Sequence, residues 1–421
     1  MPFNISKIRS SIPALSQIHQ KNRVIYFNGP GGTQVPACVP EAMANYLIHT
    51  NSNIGAPFPA SQKTDELMDQ ARSAMKLFLN AKDNKEISFG LNMTSLTFNF
   101  SRILSKTWNP GDNIILTDLD HDSNVAPWVL AAQERGVEIR FWPLDKITMN
   151  LNPKDLENLL DKKTRLVSLT MASNLLGSVP DLDLIIKKIH EMGSLVFLDA
   201  THACAHFPID TQKLNPDFLV CSAYKFSGPH LGVLYTKLDL IENLIPEIYH
   251  SPYHSQWELG TQNFEALAGL VAILNYKSGM LGAEGLSRKN LENSMQAIAN
   301  YERQLIQYFL KELSFIPEIQ LYGTHDFNAQ RTPTFALRIK NKTPQETAEY
   351  FAKRGIFTAS GYFHCSRLIQ SLGQTFGFEN QGGIWRVGLA YYNTQEEIDV
   401  LLNYLSDLHQ VQSKRIHSVL V

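Results

Sequence analysis

Five short, apolar, β-rich segments are followed by residues able to do chemistry. Asp199 closes SLVFLD (194–199), and Ser222 and Lys225 follow DFLVC. Asn174 follows RLVSLT (165–170), His121 follows NIILTD (113–118), and Thr94 with Ser95 follows ISFG (87–90). In an open parallel sheet the carboxyl ends of the strands open into one crevice. A carboxylate, an amine, an imidazole, an amide and several hydroxyls would therefore converge there.

That set meets the needs of pyridoxal phosphate. The cofactor takes a lysine as its Schiff-base partner, an anion against its pyridinium nitrogen, donors for its phosphate and a flat group over its ring. Lys225, in SAYKFSGPH, is followed by Gly and Pro rather than by a helical face, which suits a loop platform. Asp199, at the end of an apolar strand, is expected to be buried, and a buried carboxylate needs a cationic or donor partner. Thr94 and Ser95 precede LTFNFSRIL and read as a helix N-terminus, where free N–H groups and the dipole favour a phosphate. Each residue alone also has an ordinary reading, as a surface lysine, a turn aspartate or a helix cap. Their order along the chain carries the weight.

These residues need elements to hold them. Strand-like runs alternate with amphipathic stretches through the first 240 residues, including DLENLLDKK (155–163) and DLDLIIKKIHEMG (181–193), the latter ending in a glycine suited to a left-handed cap. The pattern predicts an α/β fold with a mostly parallel sheet covered by helices on both faces. Long helical stretches follow from about residue 262, then a second β–α pattern with strands at 332–340, IFTAS and 385–390. The expected division is an N-terminal segment (1–49) packing with the small domain, a large α/β domain (50–285) and a small C-terminal α+β domain (286–421).

Composition narrows the class. With 421 residues, 44% hydrophobic and 19% charged, the chain can bury a substantial core. Thirty-eight Lys+Arg against forty Asp+Glu leave a net charge of −2, which argues against a nucleic-acid partner. No window is apolar enough for a membrane span, and no leader-like segment opens the chain. Cys38, Cys204, Cys221 and Cys365 show neither a disulfide framework nor zinc spacing, so no metal and a reduced, cytoplasmic setting are expected.

The segments YFNGPGGTQVP (26–36), DHDSNVAPW (120–128), TMASNLLGSVPDL (170–182), FLDATHACAHFPID (197–210), CSAYKFSGPHLGVLY (221–235), ELGTQN (258–263), SGYFHCS (360–366) and WRVGLAYYNT (385–394) occur in an order that resembles the class V aminotransferases among fold-type I pyridoxal phosphate enzymes, the cysteine desulfurases most of all. The resemblance implies a large mostly parallel-sheet domain and a smaller C-terminal α+β domain. It makes Lys225 the Schiff-base lysine, Asp199 the partner of the pyridinium nitrogen and His121 the group stacked on the ring. Thr94, Ser95 and Ser222 would hold the phosphate, with Asn174 and His202 near the phenolic oxygen and Tyr224 beside the lysine. Arg386 would grip a substrate carboxylate. Gly260 and Thr261 match a turn reaching the neighbouring subunit's phosphate, which implies a homodimer with shared active sites.

Cys365 decides the reaction to expect. In similar desulfurases a cysteine on this loop, preceded by a histidine, takes sulfur from substrate cysteine. The resemblance thus implies removal of sulfur from L-cysteine as a persulfide on Cys365, release of L-alanine, His364 assisting at the thiol, and a sulfur-acceptor protein as partner. Three positions depart from the desulfurase pattern: Ser360 replaces an arginine, Tyr224 a histidine and His202 a glutamine. An aminotransferase, lyase or epimerase acting on another small amino acid, with Cys365 a bystander, therefore stays open, as does a non-catalytic relative that has kept the fold.

Overall fold

Seven strands, nearly all buried on both faces, form the larger sheet of the computed structural model, which describes residues 3–244, 257–379 and 381–419, with side chains to residue 407. They are β1 (Ile87–Gly90), β2 (Asn113–Thr117), β3 (Glu138–Trp142), β4 (Thr164–Thr170), β5 (Leu195–Asp199), β6 (Phe218–Ser222) and β7 (Gly232–Thr236), in the order β1-β7-β6-β5-β4-β2-β3. The pairs from β6 through β3 are parallel, while β7 runs antiparallel to both β6 and β1. Six strands therefore point one way, and the ends of β1, β2, β4, β5 and β6 open on one edge.

The expected strands match within a residue or two, because each is a short β-branched run ended by polar residues. The expected helix at 155–163 instead spans Pro153–Leu159. Asn152 caps its start, accepting the Lys154 N–H at 3.1 Å, and Leu160 is already extended. The 181–193 helix occupies Leu182–Glu191, with Gly193 left-handed as anticipated (φ +77°).

Helix α1 (Cys38–His49) packs along α3 (Phe264–Gly279), while α2 (Met93–Ser105) lies against β6 and β7. Helix α4 (Arg288–Leu313), 26 residues and about 39 Å long, carries the chain from the large sheet to a second one. That second sheet is antiparallel, with β8 (Ile319–Tyr322), β9 (Thr334–Ile339), β10 (Ala359–Gly361) and β11 (Ile384–Gly388) in the order β8-β9-β11-β10. Its core, with Phe309, Phe335, Phe351, Trp385 and Leu401, is separate from the cores under the large sheet.

The segment IFTAS is not one strand. Ile356–Phe357 pair in parallel with Ile25–Tyr26, and the chain joins the small sheet only from Ala359, with the Thr358 hydroxyl between them accepting the Trp385 indole N–H at 2.8 Å. Near the N-terminus, Arg9 forms an ion pair with Glu397 at 2.7 Å. Among the described residues no helix is long and apolar enough to cross a membrane, and no cluster of three metal-ligating side chains occurs.

Candidate active site

Asn92 starts α2 through a reciprocal cap. Its Oδ1 accepts the Ser95 N–H at 2.8 Å, while Ser95 Oγ accepts the Asn92 N–H at 3.3 Å and donates to the Asn92 carbonyl at 3.0 Å. The Ser95 hydroxyl is thus occupied with its own helix and turned away from the sheet edge, whereas the sequence placed it among the phosphate ligands. Thr94, one residue earlier, does face the edge, with its Oγ1 2.9 Å from Ser123 Oγ. The Met93 N–H donates to Ser222 Oγ at 2.9 Å, tying the start of the helix to the end of β6.

Gly232 makes this approach possible. A Cβ there would lie 2.5 Å from the Asn92 carbonyl carbon. Gly232→Ala is expected to push the start of α2 off β7, costing about 1–3 kcal/mol of stability and weakening cofactor uptake. Thermal melting and a cofactor titration on the variant check this.

A cavity of about 600 Å³ opens at this edge. It is lined by Thr94, His121, Asn174, Asp199, His202, Ser222, Tyr224 and Lys225 among the residues singled out in the sequence, joined by Ser123, Thr170, Thr201 and His230. Gly260 and Thr261 lie exposed outside it, Gly260 left-handed at φ +71° with nothing near its α-carbon on the Cβ side. His364 is also exposed, its ring 5.2 Å from that of His121.

Lys225 sits in a single 3-10 turn (Ala223–Phe226) ended by left-handed Ser227, rather than in the open loop expected. Thr33 Oγ1 holds that turn by donating to the carbonyls of Tyr224 (3.2 Å) and Lys225 (3.0 Å). The amine donates to the Pro30 carbonyl and lies 4.8 Å over the Tyr224 ring. Burial, then the charge of Arg386, lower its pKa to about 7, with Asp199 opposing. The folded-state value lies below the unfolded one of about 10.5, so protonation of Lys225 penalises folding fully below pH ~7 and not at all above pH ~10.5. Cofactor-free Lys225→Met is therefore expected to be more stable than the parent by about 2–4 kcal/mol at pH ~6, the advantage vanishing by pH ~10.5. Denaturant melts across that range test it.

Asp199 is buried at the end of β5 and accepts the Thr201 N–H at 2.8 Å; burial raises its pKa. Its neighbour Asp120, which the sequence reading quoted but gave no role, is held by Thr117 and by Asn124 at 2.7 Å. Burial pushes Asp120 up to about 8, and the nearby Asp199 adds to that rise. His121 accepts the Ser123 N–H on Nδ1 at 3.1 Å, and burial followed by the nearby His364 lowers its pKa to about 4. It is a neutral, flat ring. His202 is likewise driven down by burial, its Nε2 3.0 Å from the hydroxyls of both Thr332 and Thr334.

The Arg386 side of the site is closed. Arg386 is buried, with Nη1 on the Asn174 carbonyl (3.0 Å), Nη2 on Asn28 Oδ1 (3.1 Å) and Nε without a partner. The Phe363 ring covers it, 3.9 Å from the guanidinium carbon. Phe363 and His364 are both left-handed (φ +53° each), an uncommon conformation for non-glycine residues that bends the loop over the arginine. Cys365, which the sequence reading required to be within reach of substrate, is fully buried where helix α5 (Ser366–Phe376) begins. Its thiol donates to Asn174 Oδ1 at 3.1 Å, and burial pushes its pKa up to about 12 against the opposing charge of Arg386. Cys204 and Cys221 are buried in the large-domain core and Cys38 is half-buried.

The residues fit pyridoxal phosphate. A buried carboxyl without a hydrogen-bonded cation among the described residues, an amine lowered to about 7, a flat neutral ring and a helix start with two adjacent hydroxyls share one cavity of suitable size. With the parallel large sheet and smaller C-terminal sheet, they define a fold-type I pyridoxal-phosphate-dependent enzyme of the transferase type. The family described as Aminotransferase class-V matches residues 25–401, and the chain belongs to it.

The chain is similar, at 29% identity over 98% of its length and all of the relative's, to a cysteine desulfurase of Escherichia coli O157:H7. It is 31% identical to aminotransferase-like protein FGM3 of Gibberella zeae, over 95% of this chain and 97% of that one. Among solved structures, the apo cysteine desulfurase from Thermococcus onnurineus NA1 superposes with a TM-score of 0.83 at 24% identity, covering 96% and 97% of the two chains, and shows the shared fold.

Proposed function

We propose that this protein is a cysteine desulfurase: it takes sulfur from L-cysteine onto Cys365 and releases L-alanine. The observation that carries the reading is the 3.1 Å hydrogen bond from the Cys365 thiol to Asn174, a side chain that also lines the cavity of Lys225. The similarity to the cysteine desulfurase of Escherichia coli O157:H7 supports the same substrate class.

When bound, pyridoxal phosphate supplies an electron sink next to the substrate's α-carbon. Asp199 would face the ring nitrogen, Thr94, Ser123, Ser222 and the start of α2 would hold the phosphate, and His121 would offer its flat ring to the cofactor's. Lys225 would hold the cofactor, and its amine, lowered to about 7 and so substantially unprotonated near neutral pH, would take the α-proton and return one to the substrate carbon skeleton. Arg386 holds the substrate carboxylate once Phe363 moves aside. Cys365 loses its proton and attacks the substrate sulfur; the carbon–sulfur bond breaks as the sulfur–sulfur bond forms, and the three-carbon remnant leaves as alanine after protonation. Sulfur is oxidised as the β-carbon is reduced, so no outside reductant enters until an acceptor takes the sulfur. Gly260 and Thr261 completing a partner subunit's phosphate site, in a homodimer working in the cytoplasm with a sulfur-acceptor protein, belong to the same proposal.

One observation favours a second reading. A buried thiol pushed up to about 12 is a poor nucleophile, as expected if Cys365 were a packing residue of an aminotransferase, lyase or epimerase. Incubation with L-cysteine and with a panel of other small amino acids, with alanine, sulfide and cofactor absorbance followed, separates the two. Alanine and sulfide from cysteine alone support desulfuration; rapid conversion of the cofactor by another amino acid, with cysteine inert, favours the second.

A further inference from the structure

Behind the cavity wall lies a row of buried ionisable groups that the reaction above does not use. Glu302 of α4, His206 of the loop after β5, and Lys277 of α3 are all nearly inaccessible to solvent. His206 Nδ1 is 2.8 Å from Glu302 Oε2, while Glu302 Oε1 is buried without a hydrogen-bond partner. The His206 ring meets that of His202 edge to face, centroids 4.7 Å apart, and His202 lines the cavity of Lys225. The Lys277 ammonium sits 4.8 Å over the Tyr391 ring and 3.8 Å from Met295 Sδ, partners that replace little of its lost hydration.

Such a row is costly. Replacing buried ion pairs by apolar side chains is often neutral or stabilising, so stability alone does not account for it. What the row does possess is a continuous path, from the helix joining the two sheets to a ring that faces the cofactor pocket. We propose that Glu302, His206 and Lys277 form an electrostatic relay that acts through His202 to set the proton affinity of the groups in the Lys225 cavity. They are positioning residues and touch neither substrate nor cofactor.

The surroundings allow this. Glu302 faces His206 and Lys277, with the phenols of Tyr301 and Tyr392 nearby. Lys277 also faces Cys204, and His202 faces His206, Lys225 and Arg386. Burial raises Glu302 and lowers Lys277 to about 8, and their mutual attraction opposes both shifts. Opposite charges on Glu302 and Lys277 would offset each other at His202, so removing either is expected to leave a net field there whose sign depends on which is lost.

The relay rests on the cavity being a pyridoxal phosphate site, not on the sulfur chemistry. Protein reconstituted with pyridoxal 5′-phosphate is titrated with pH while its visible absorbance is followed. Glu302→Gln, leaving the ammonium unopposed, is expected to lower the midpoint by roughly 0.5–1 pH unit; Lys277→Met is expected to raise it by a similar amount, and the double variant to return near the parent. In a His202→Gln background the Glu302→Gln shift should fall by at least about half, since contacting residues couple. Should Glu302→Gln not fold, the Lys277→Met shift and its reversal in the double variant decide the matter. Shifts of one sign, no shift, or a Glu302→Gln shift undiminished without His202 would overturn the relay. A parent protein that takes up no cofactor overturns the reading of the cavity, and the relay with it.

Discussion

Lys225→Ala, reconstituted with pyridoxal phosphate, is expected to lack the visible band near roughly 420 nm and to lose turnover of any amino acid by on the order of 10³-fold or more. On the proposed function Lys225 would have two tasks, covalent attachment of the cofactor and movement of the α-proton, and among the described residues no other lysine lines the cavity. Its lowered pKa, about 7, suits both, because a neutral amine is the nucleophile and the base. The same burial means that removing the amine should not unfold the protein. A loss of activity with an unchanged or raised melting temperature is expected, whereas a collapsed melt would point to a structural lysine. Absorbance, melting and turnover on one preparation distinguish these outcomes.

Cys365→Ala carries the second large effect. It is expected to keep the visible band and the cofactor affinity of the parent while losing alanine formation from L-cysteine by about 10²-fold or more. The thiol is the group on which sulfur transfer would rest, and its hydrogen bond to Asn174 places it beside the pocket. Because burial holds the thiol up at about 12, the reactive thiolate grows about tenfold per pH unit. The parent's rate should accordingly rise between pH ~7 and ~9 if deprotonation of Cys365 limits it. Phe363→Ala should speed alkylation of Cys365 severalfold by opening the cover on Arg386, which peptide-resolved mass spectrometry can read. An unchanged alkylation rate would mean that Phe363 does not control access.

The strand ends were legible because the signal is local: an apolar run of five to seven residues followed by a polar group fixes both the strand and the edge to which the group is delivered. Lys225, Asp199, His121, Asn174, Ser222 and Thr94 were found that way, and the cavity collects them. Ser95 shows an equally local ambiguity, since its hydroxyl completes the cap with Asn92, and a cap and an anion ligand look alike in sequence. What brings Thr332 and Thr334 to His202, or Pro30 to Lys225, spans more than a hundred residues of chain, and Phe363 reaches Arg386 through the left-handed loop that follows the strand paired beside it; no spacing rule carries either. The burial of Cys365 was hidden for the same cause. The sequence places Cys365 on a loop after two aromatics and beside His364, and nothing in that spacing announces that Phe363 and His364 are left-handed or that the thiol is buried.

The central claim, that Cys365 receives sulfur, is tested most directly by the mass of the Cys365 peptide. Cofactor-loaded protein is treated with L-cysteine without reductant, trapped with an alkylating agent and digested. The account predicts an added sulfur of about 32 Da on Cys365, formed in step with one equivalent of alanine and absent without pyridoxal phosphate. Alanine released while Cys365 stays unmodified, or at an equal rate by Cys365→Ala, would contradict it.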